Sequence, residues 1–218
     1  MKKTGSLLIL AALTLAALGL FCTGCDKGLD QNKSTVQNKG LVQEKSVQKS
    51  PSAPVPESQG VFTLKSEAFA DNGEIPSAYA NKGVSGGNNV SIPLSWSNVP
   101  AGTKSFAILI YDLHPIANNW VHWAVINIPA NTTAVEKGAS LTAKMPKGCT
   151  ELNNTFGTKG YGGPQPPAGS GNHQYRIIIY ALNTEQVTIS DTPTLASFNQ
   201  AIQGNTLGQA QFTGLFGI

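Results

Sequence analysis

The sequence predicts a mainly β domain, an antiparallel sandwich or barrel with one or two short helices. Three observations lead there. Short apolar runs recur between Gly-, Pro- and Asn-rich turns along residues 61–218. Two of those runs are apolar almost without interruption, as strands buried on both faces are. Only one helix signal stands out, and many short strands with few helices favour a sandwich or barrel.

Each element follows from its residues. Residues 61–64, Val-Phe-Thr-Leu, alternate like a strand. Asp71-Asn72-Gly73 and residues 85–89 (Ser-Gly-Gly-Asn-Asn) are turn clusters. Residues 90–96 read as a strand in which Pro93 points to an edge or a bulge. Residues 99–103 form a turn, and residues 105–111, Ser-Phe-Ala-Ile-Leu-Ile-Tyr, form a central strand. A second such strand runs over residues 120–128 and is closed by Pro129, and a third over residues 176–182. The helix is capped by Asp191 or Thr192, takes Pro193 into its first turn, and stops at Gly204. Leu195, Phe198 and Ile202 share its apolar face.

The N-terminal residues carry an address. Lys2 and Lys3 precede an apolar run over residues 7–21, so residues 1–24 read as a secretory signal peptide. Thr23-Gly24 before Cys25 resembles a bacterial lipobox, although Cys22 stands where that motif prefers Leu. Cleavage before Cys25 and lipidation of its sulfur follow, which anchors the protein to a membrane. The expected location is the bacterial cell envelope, facing periplasm or exterior, with plain secretion as the alternative. An uncleaved anchor fits less well, because the apolar run is short for a span. With Cys22 removed and Cys25 acylated, Cys149 alone remains and no internal disulfide can form.

Residues 25–60 hold the lipidated cysteine and a tether, and residues 61–218 hold the folded domain. The tether contains a degenerate six-residue repeat over residues 34–49, then the Pro-rich residues 50–56. It has little to bury and reads as a disordered spacer, reaching roughly 30 Å on average. From Val61 onward eight basic and eight acidic residues cancel, so the formal charge of +3 belongs to the N-terminal segment. A neutral domain with scattered charges gives no electrostatic case for nucleic acid as a partner, and none is expected.

Residues 157–175 are the stretch around which a site would form. Glycines let backbone amides approach a ligand, while Pro164, Pro166 and Pro167 stiffen the same loop. The loop ends in His173 and Tyr175 at the mouth of a strand, where binding sites tend to lie. Asp112 follows the central strand, and His122 interrupts an otherwise apolar one. Strand alternation places Trp120, His122 and Ala124 on one face. Asp112 would then orient His122, while His173, the Tyr175 hydroxyl and glycine amides would donate to an anion. Taken alone, His122 also suits a core histidine with its hydrogen bonds satisfied.

These blocks resemble the phosphatidylethanolamine-binding proteins, and most closely their bacterial YbhB/YbcL-type, Raf-kinase-inhibitor-like branch. The resemblance rests on residues 99–106 (Val-Pro-Ala-Gly-Thr-Lys-Ser-Phe), Tyr111-Asp112, Trp120-Val121-His122-Trp123 and Asn127-Ile128-Pro129. It also rests on Gly160-Tyr161-Gly162-Gly163-Pro164 with Pro166-Pro167, Gly169, His173 and Tyr175. It implies an antiparallel β-sandwich with a small pocket for phosphate, acetate or a phospholipid head group. Carried over residue by residue, the pocket is Asp112, Trp120, His122, Tyr161, Gly163, Pro167, His173 and Tyr175. The family's Asp-Pro-Asp-Ala-Pro is Asp112-Leu113-His114-Pro115-Ile116 here, and its Asn-x-Ser-Pro is altered at Ile92.

The expectation is therefore a binding protein, not an enzyme, with no cofactor. Its partners are a small anion or phosphorylated head group and, through the lipid, a membrane. Modulation of a partner protein and a homodimer stay open, and kinase inhibition does not carry over from pocket residues. Two alternatives compete. Asp112, His114, His122 and His173 form a plausible zinc set. A hydrolase would need a nucleophile beside His122 or His173, for which Ser170 is the one loop candidate.

Overall fold

In a computed structural model the described residues are 60–218. The expected signal peptide, Cys25 lipidation site and tether lie outside them. Among the described residues nine strands form two sheets. The smaller is β1 (Thr63–Lys65), β3 (Leu94–Ser97) and β6 (Ala134–Val135), in the order β1-β3-β6. The larger holds β2 (Gly73–Glu74), β4 (Ser105–Asp112), β5 (Val121–Pro129), β7 (Thr150–Glu151), β8 (His173–Leu182) and β9 (Thr206–Phe216). Its order is β2-β9-β8-β4-β5-β7. All pairings are antiparallel except the two-residue contact of β2 with β9.

The large sheet is buried on both faces. One face packs Phe106, Ile108, Ile110, Val125, Ile177 and Ile179 against Leu64, Leu94 and Trp96 of the small sheet. The other packs Ala107, Leu109, Ile178 and Tyr180 against Phe198 and Ile202 of helix α1 (Leu195–Ile202). Every residue of β4 is therefore buried. That is why residues 105–111 are apolar without alternation.

Four local expectations change. Strand β3 begins only at Leu94, after Pro93, whose missing N–H cannot enter a ladder. Helix α1 is capped by Thr194, not Asp191 or Thr192, and Pro193 precedes the cap. Thr194 Oγ1 accepts from the Ser197 amide at 3.1 Å, and Ser197 Oγ accepts from the Thr194 amide at 3.0 Å. This reciprocal pair outweighs a single-sided cap at 191 or 192. Strand β9 had no sequence signal, because Gly208, Gln209, Gln211 and Gly214 break its pattern. It pairs with β8 along nearly its whole length. Gly214 is needed there, since a Cβ would lie 2.6 Å from both Ile75 and Phe69.

The fourth change concerns β5. Ile110 pairs with Trp123 but Tyr111 with Val121, so His122 is an extra residue opposite no partner. This bulge breaks the alternation. Trp123 packs toward the small sheet and Ala124 toward the helix. His122 meets Tyr175 of the Trp123 side, with ring centroids 5.1 Å apart. His122 and Ala124 are thus on opposite faces. A second bulge lies between the Ile108 and Phe106 pairings. There Asn127 has φ +59°, and its side chain accepts from the Val187 amide at 2.9 Å.

Candidate functional site

Sheet register gathers the site at one end of β4, β5 and β8. Asp112, the last residue of β4, pairs with Tyr175 of β8. His173 lies two residues earlier on β8 and so shares the face of Tyr175. The bulge on β5 aims His122 to the same place. A cavity of about 260 Å³ opens there, lined by Asp112, Trp120, His122, Pro167, His173 and Tyr175. Those six were expected from the sequence. Ile116, Ala117, Phe156, Gln165 and Pro166 complete the wall. Phe156 stands one residue before the Gly/Pro stretch and meets Trp120 edge-on at 5.2 Å. Only that adjacency could have suggested it.

The polar groups pair differently from expectation. Asp112 orients His173, not His122. The His173 Nδ1–H donates to Asp112 Oδ2 at 2.5 Å, and the His114 amide donates to Asp112 Oδ1 at 2.8 Å. Asp112 and His173 are 3% and 1% exposed, so this pair is almost wholly out of water. The His122 Nδ1–H donates instead to the Gly162 carbonyl at 2.6 Å. Burial lowers the His122 pKa to about 4, against the opposing pull of the Gly162 carbonyl and Asp112. His122 is consequently neutral near pH 7, with its proton on Nδ1. Burial, and then nearby Asp112, push the Tyr175 phenol far up, so it stays a donor. Among the described residues neither the Tyr175 hydroxyl nor Trp120 Nε1 has a hydrogen-bond partner.

Two residues carried over from the resemblance do not line the cavity. Tyr161 is a core residue: its hydroxyl donates to the Tyr79 carbonyl at 2.9 Å and its ring meets Trp123 edge-on. Gly163 backs the wall, its amide donating to Asn89 Oδ1 at 2.7 Å. It must be glycine, because a Cβ would sit 2.1 Å from the Tyr79 carbonyl oxygen. The glycine amides expected to donate to a ligand are in large part engaged within the fold. Gly160, Gly162 and Gly169 give their amides to the carbonyls of Leu152, His122 and Ile218. The loop is a wall because its backbone is satisfied internally.

The zinc alternative finds no support. Among the described residues no three His, Cys, Asp or Glu side chains are arranged to hold a metal ion. His114 stacks on His173 instead of converging with it. Ser170 does meet His173: its Oγ lies 3.0 Å from Nε2.

Comparison with known proteins agrees with this architecture. Residues 65–217 match the family model described as phosphatidylethanolamine-binding protein. A UPF0098 protein of Methanothermobacter thermautotrophicus is 37% identical over 71% of this chain and 98% of its own length. UPF0098 protein YbcL of Escherichia coli is 38% identical over 61% of this chain and 74% of its own. LppC of Mycobacterium tuberculosis, whose name carries the word lipoprotein, is 34% identical over 76% of each chain. The crystal structure of E. coli YbcL superposes with a TM-score of 0.67 at 33% identity. That match covers 72% of this chain and 98% of YbcL, described as a new member of the mammalian PEBP family.

Proposed function

Since the chain belongs to the phosphatidylethanolamine-binding protein family, we propose that its cavity binds a small anion, a phosphomonoester or a phospholipid head group. The observation that carries this is the Tyr175 hydroxyl, which is buried in the cavity wall without a partner. A buried donor is normally satisfied, and an acceptor entering the cavity would satisfy this one. Trp120 Nε1 offers a second donor of the same kind. Among the described residues no Lys or Arg lines the cavity. Neutral donors suit a monoanion better than a dianion, whose desolvation they could not offset. Ile116 and Phe156 leave apolar surface at the rim, which suits an anion carrying an organic substituent.

Titration calorimetry with phosphate and with phosphoethanolamine tests this. Binding heat is expected with at least one of them. Silence with both, at millimolar ligand and over several temperatures, would remove the reading.

Location follows the N-terminal residues. Lipidation of Cys25 and a tether to about residue 60 would hold the domain at an envelope membrane, and the similarity to LppC supports this. Intact mass of the mature protein should show acyl chains on Cys25. A Cys25→Ser protein that still partitions to membrane would contradict it.

A further inference from the structure

Ser170, His173 and Asp112 form one hydrogen-bonded line. Ser170 Oγ lies 3.0 Å from His173 Nε2, and the opposite ring nitrogen lies 2.5 Å from Asp112 Oδ2. The second oxygen of Asp112 is held by the His114 amide, and the His114 ring lies flat on His173. Neither the carboxylate nor the imidazole is free to turn. A carboxylate that accepts Nδ1–H leaves Nε2 as the base of the ring, here facing a hydroxyl. This is the arrangement by which a serine becomes a nucleophile.

We propose that Ser170 is an acyl-accepting nucleophile and that the site hydrolyses small esters through an acyl-Ser170 intermediate. Ser170 closes a tight turn: its amide donates to the Pro167 carbonyl at 3.1 Å, and Gly169 takes φ +78° inside it. That geometry needs glycine at the third position. The Ser170 hydroxyl also lies 2.6 Å from the same carbonyl. Its single hydrogen therefore has two acceptors, and rotation about Cβ–Oγ moves it from Pro167 to His173. Ser170 is half-buried beside Pro167 and His173, which both line the cavity. An acyl group entering the cavity would bring its carbonyl toward the Tyr175 and Trp120 donors, which have no partner among the described residues.

The steps balance without a further reagent than water. Oγ bonds to the acyl carbon as its proton passes to Nε2 and the carbonyl electrons move to oxygen. Collapse breaks the ester bond, and the leaving alkoxide takes the proton from Nε2. Water then repeats the sequence, releasing the carboxylic acid and restoring the hydroxyl. Ser170 stands behind Pro167 and His173 of the wall, so the reaction shares His173 with the anion site but does not depend on anion affinity.

The test treats the protein with a fluorophosphonate and, separately, with p-nitrophenyl acetate. One adduct is expected, mapped by peptide mass to Ser170. Ester hydrolysis is expected to fall about 100-fold in both Ser170→Ala and His173→Gln, since members of such a line act as a unit. Ser170 stands in a half-exposed turn, and circular dichroism verifies that Ser170→Ala is folded. An unlabelled Ser170 in protein that still binds phosphate excludes the nucleophile and leaves the anion site standing. A labelled Ser170 in protein that binds no phosphate does the reverse. Hydrolysis at the wild-type rate in Ser170→Ala also excludes it.

Discussion

His114 and His173 stack face to face, with ring centroids 3.9 Å apart and planes 11° from parallel. His173 is thereby held on its face by His114 and at its edge by Asp112. His114 thus gives His173 an aromatic support. His114→Ala should cost about 1 kcal/mol of stability, the usual worth of an aromatic pair. It should also broaden the His173 ring signals in NMR. Unchanged signals would mean that Asp112 alone fixes the ring.

Asp112→Asn should be far more damaging. It removes one charge from a buried hydrogen-bonded pair, for which a loss of about 3 kcal/mol is typical. Urea unfolding at pH 7 measures it. A loss below about 1 kcal/mol would show that water reaches the pair.

His122 makes stability fall with pH. Its ordinary pKa of 6.5 drops to about 4 in the fold because burial disfavours the charged ring. Below pH 6.5 the unfolded chain takes up a proton that the folded one refuses. The contribution is therefore complete above pH 6.5 and is lost as pH falls toward 4. It amounts to about 3 kcal/mol. The fall between those limits should be shallower in His122→Gln, and equal slopes would place the titration elsewhere.

The same histidine gives ligand binding a pH sign. An anion beside His122 favours its protonated form, so the affinity for a phosphodiester, whose own charge is constant here, should rise from pH 7 to pH 5. Calorimetry in two buffers of different ionisation heat should detect proton uptake. Affinity that falls on acidification would contradict a role for His122 at the anion.

Tyr175→Phe separates binding from folding. Its hydroxyl has no partner among the described residues, so thermal stability should hold or rise slightly. Phosphate binding should weaken by about 1 kcal/mol, the worth of one hydrogen bond.

Much of this site was legible in the sequence, and the reasons are local. Asp112, His122, His173 and Tyr175 stood out as polar residues at strand ends or inside apolar runs. Their pairing was not legible, because a single extra residue in β5 decides which way His122 points. Nothing in Trp120-Val121-His122-Trp123 announces a bulge. Tyr161 and Gly163 were misjudged for a related reason. A glycine-rich loop that binds with its amides and one that packs tightly use the same composition. Strand β9 stayed hidden because its glycines serve close packing against Ile75, Phe69 and Pro100.

The unpaired position at His122 has a consequence for how such a chain can vary. Upstream and downstream of it, the strand obeys opposite rules about which residues must be oily. Deleting that one histidine would remove this bulge, leaving the one near Asn127, while taking the neutral ring out of the cavity. Sheet and site are thus separable by a single codon, so the architecture could outlive the loss of its occupant.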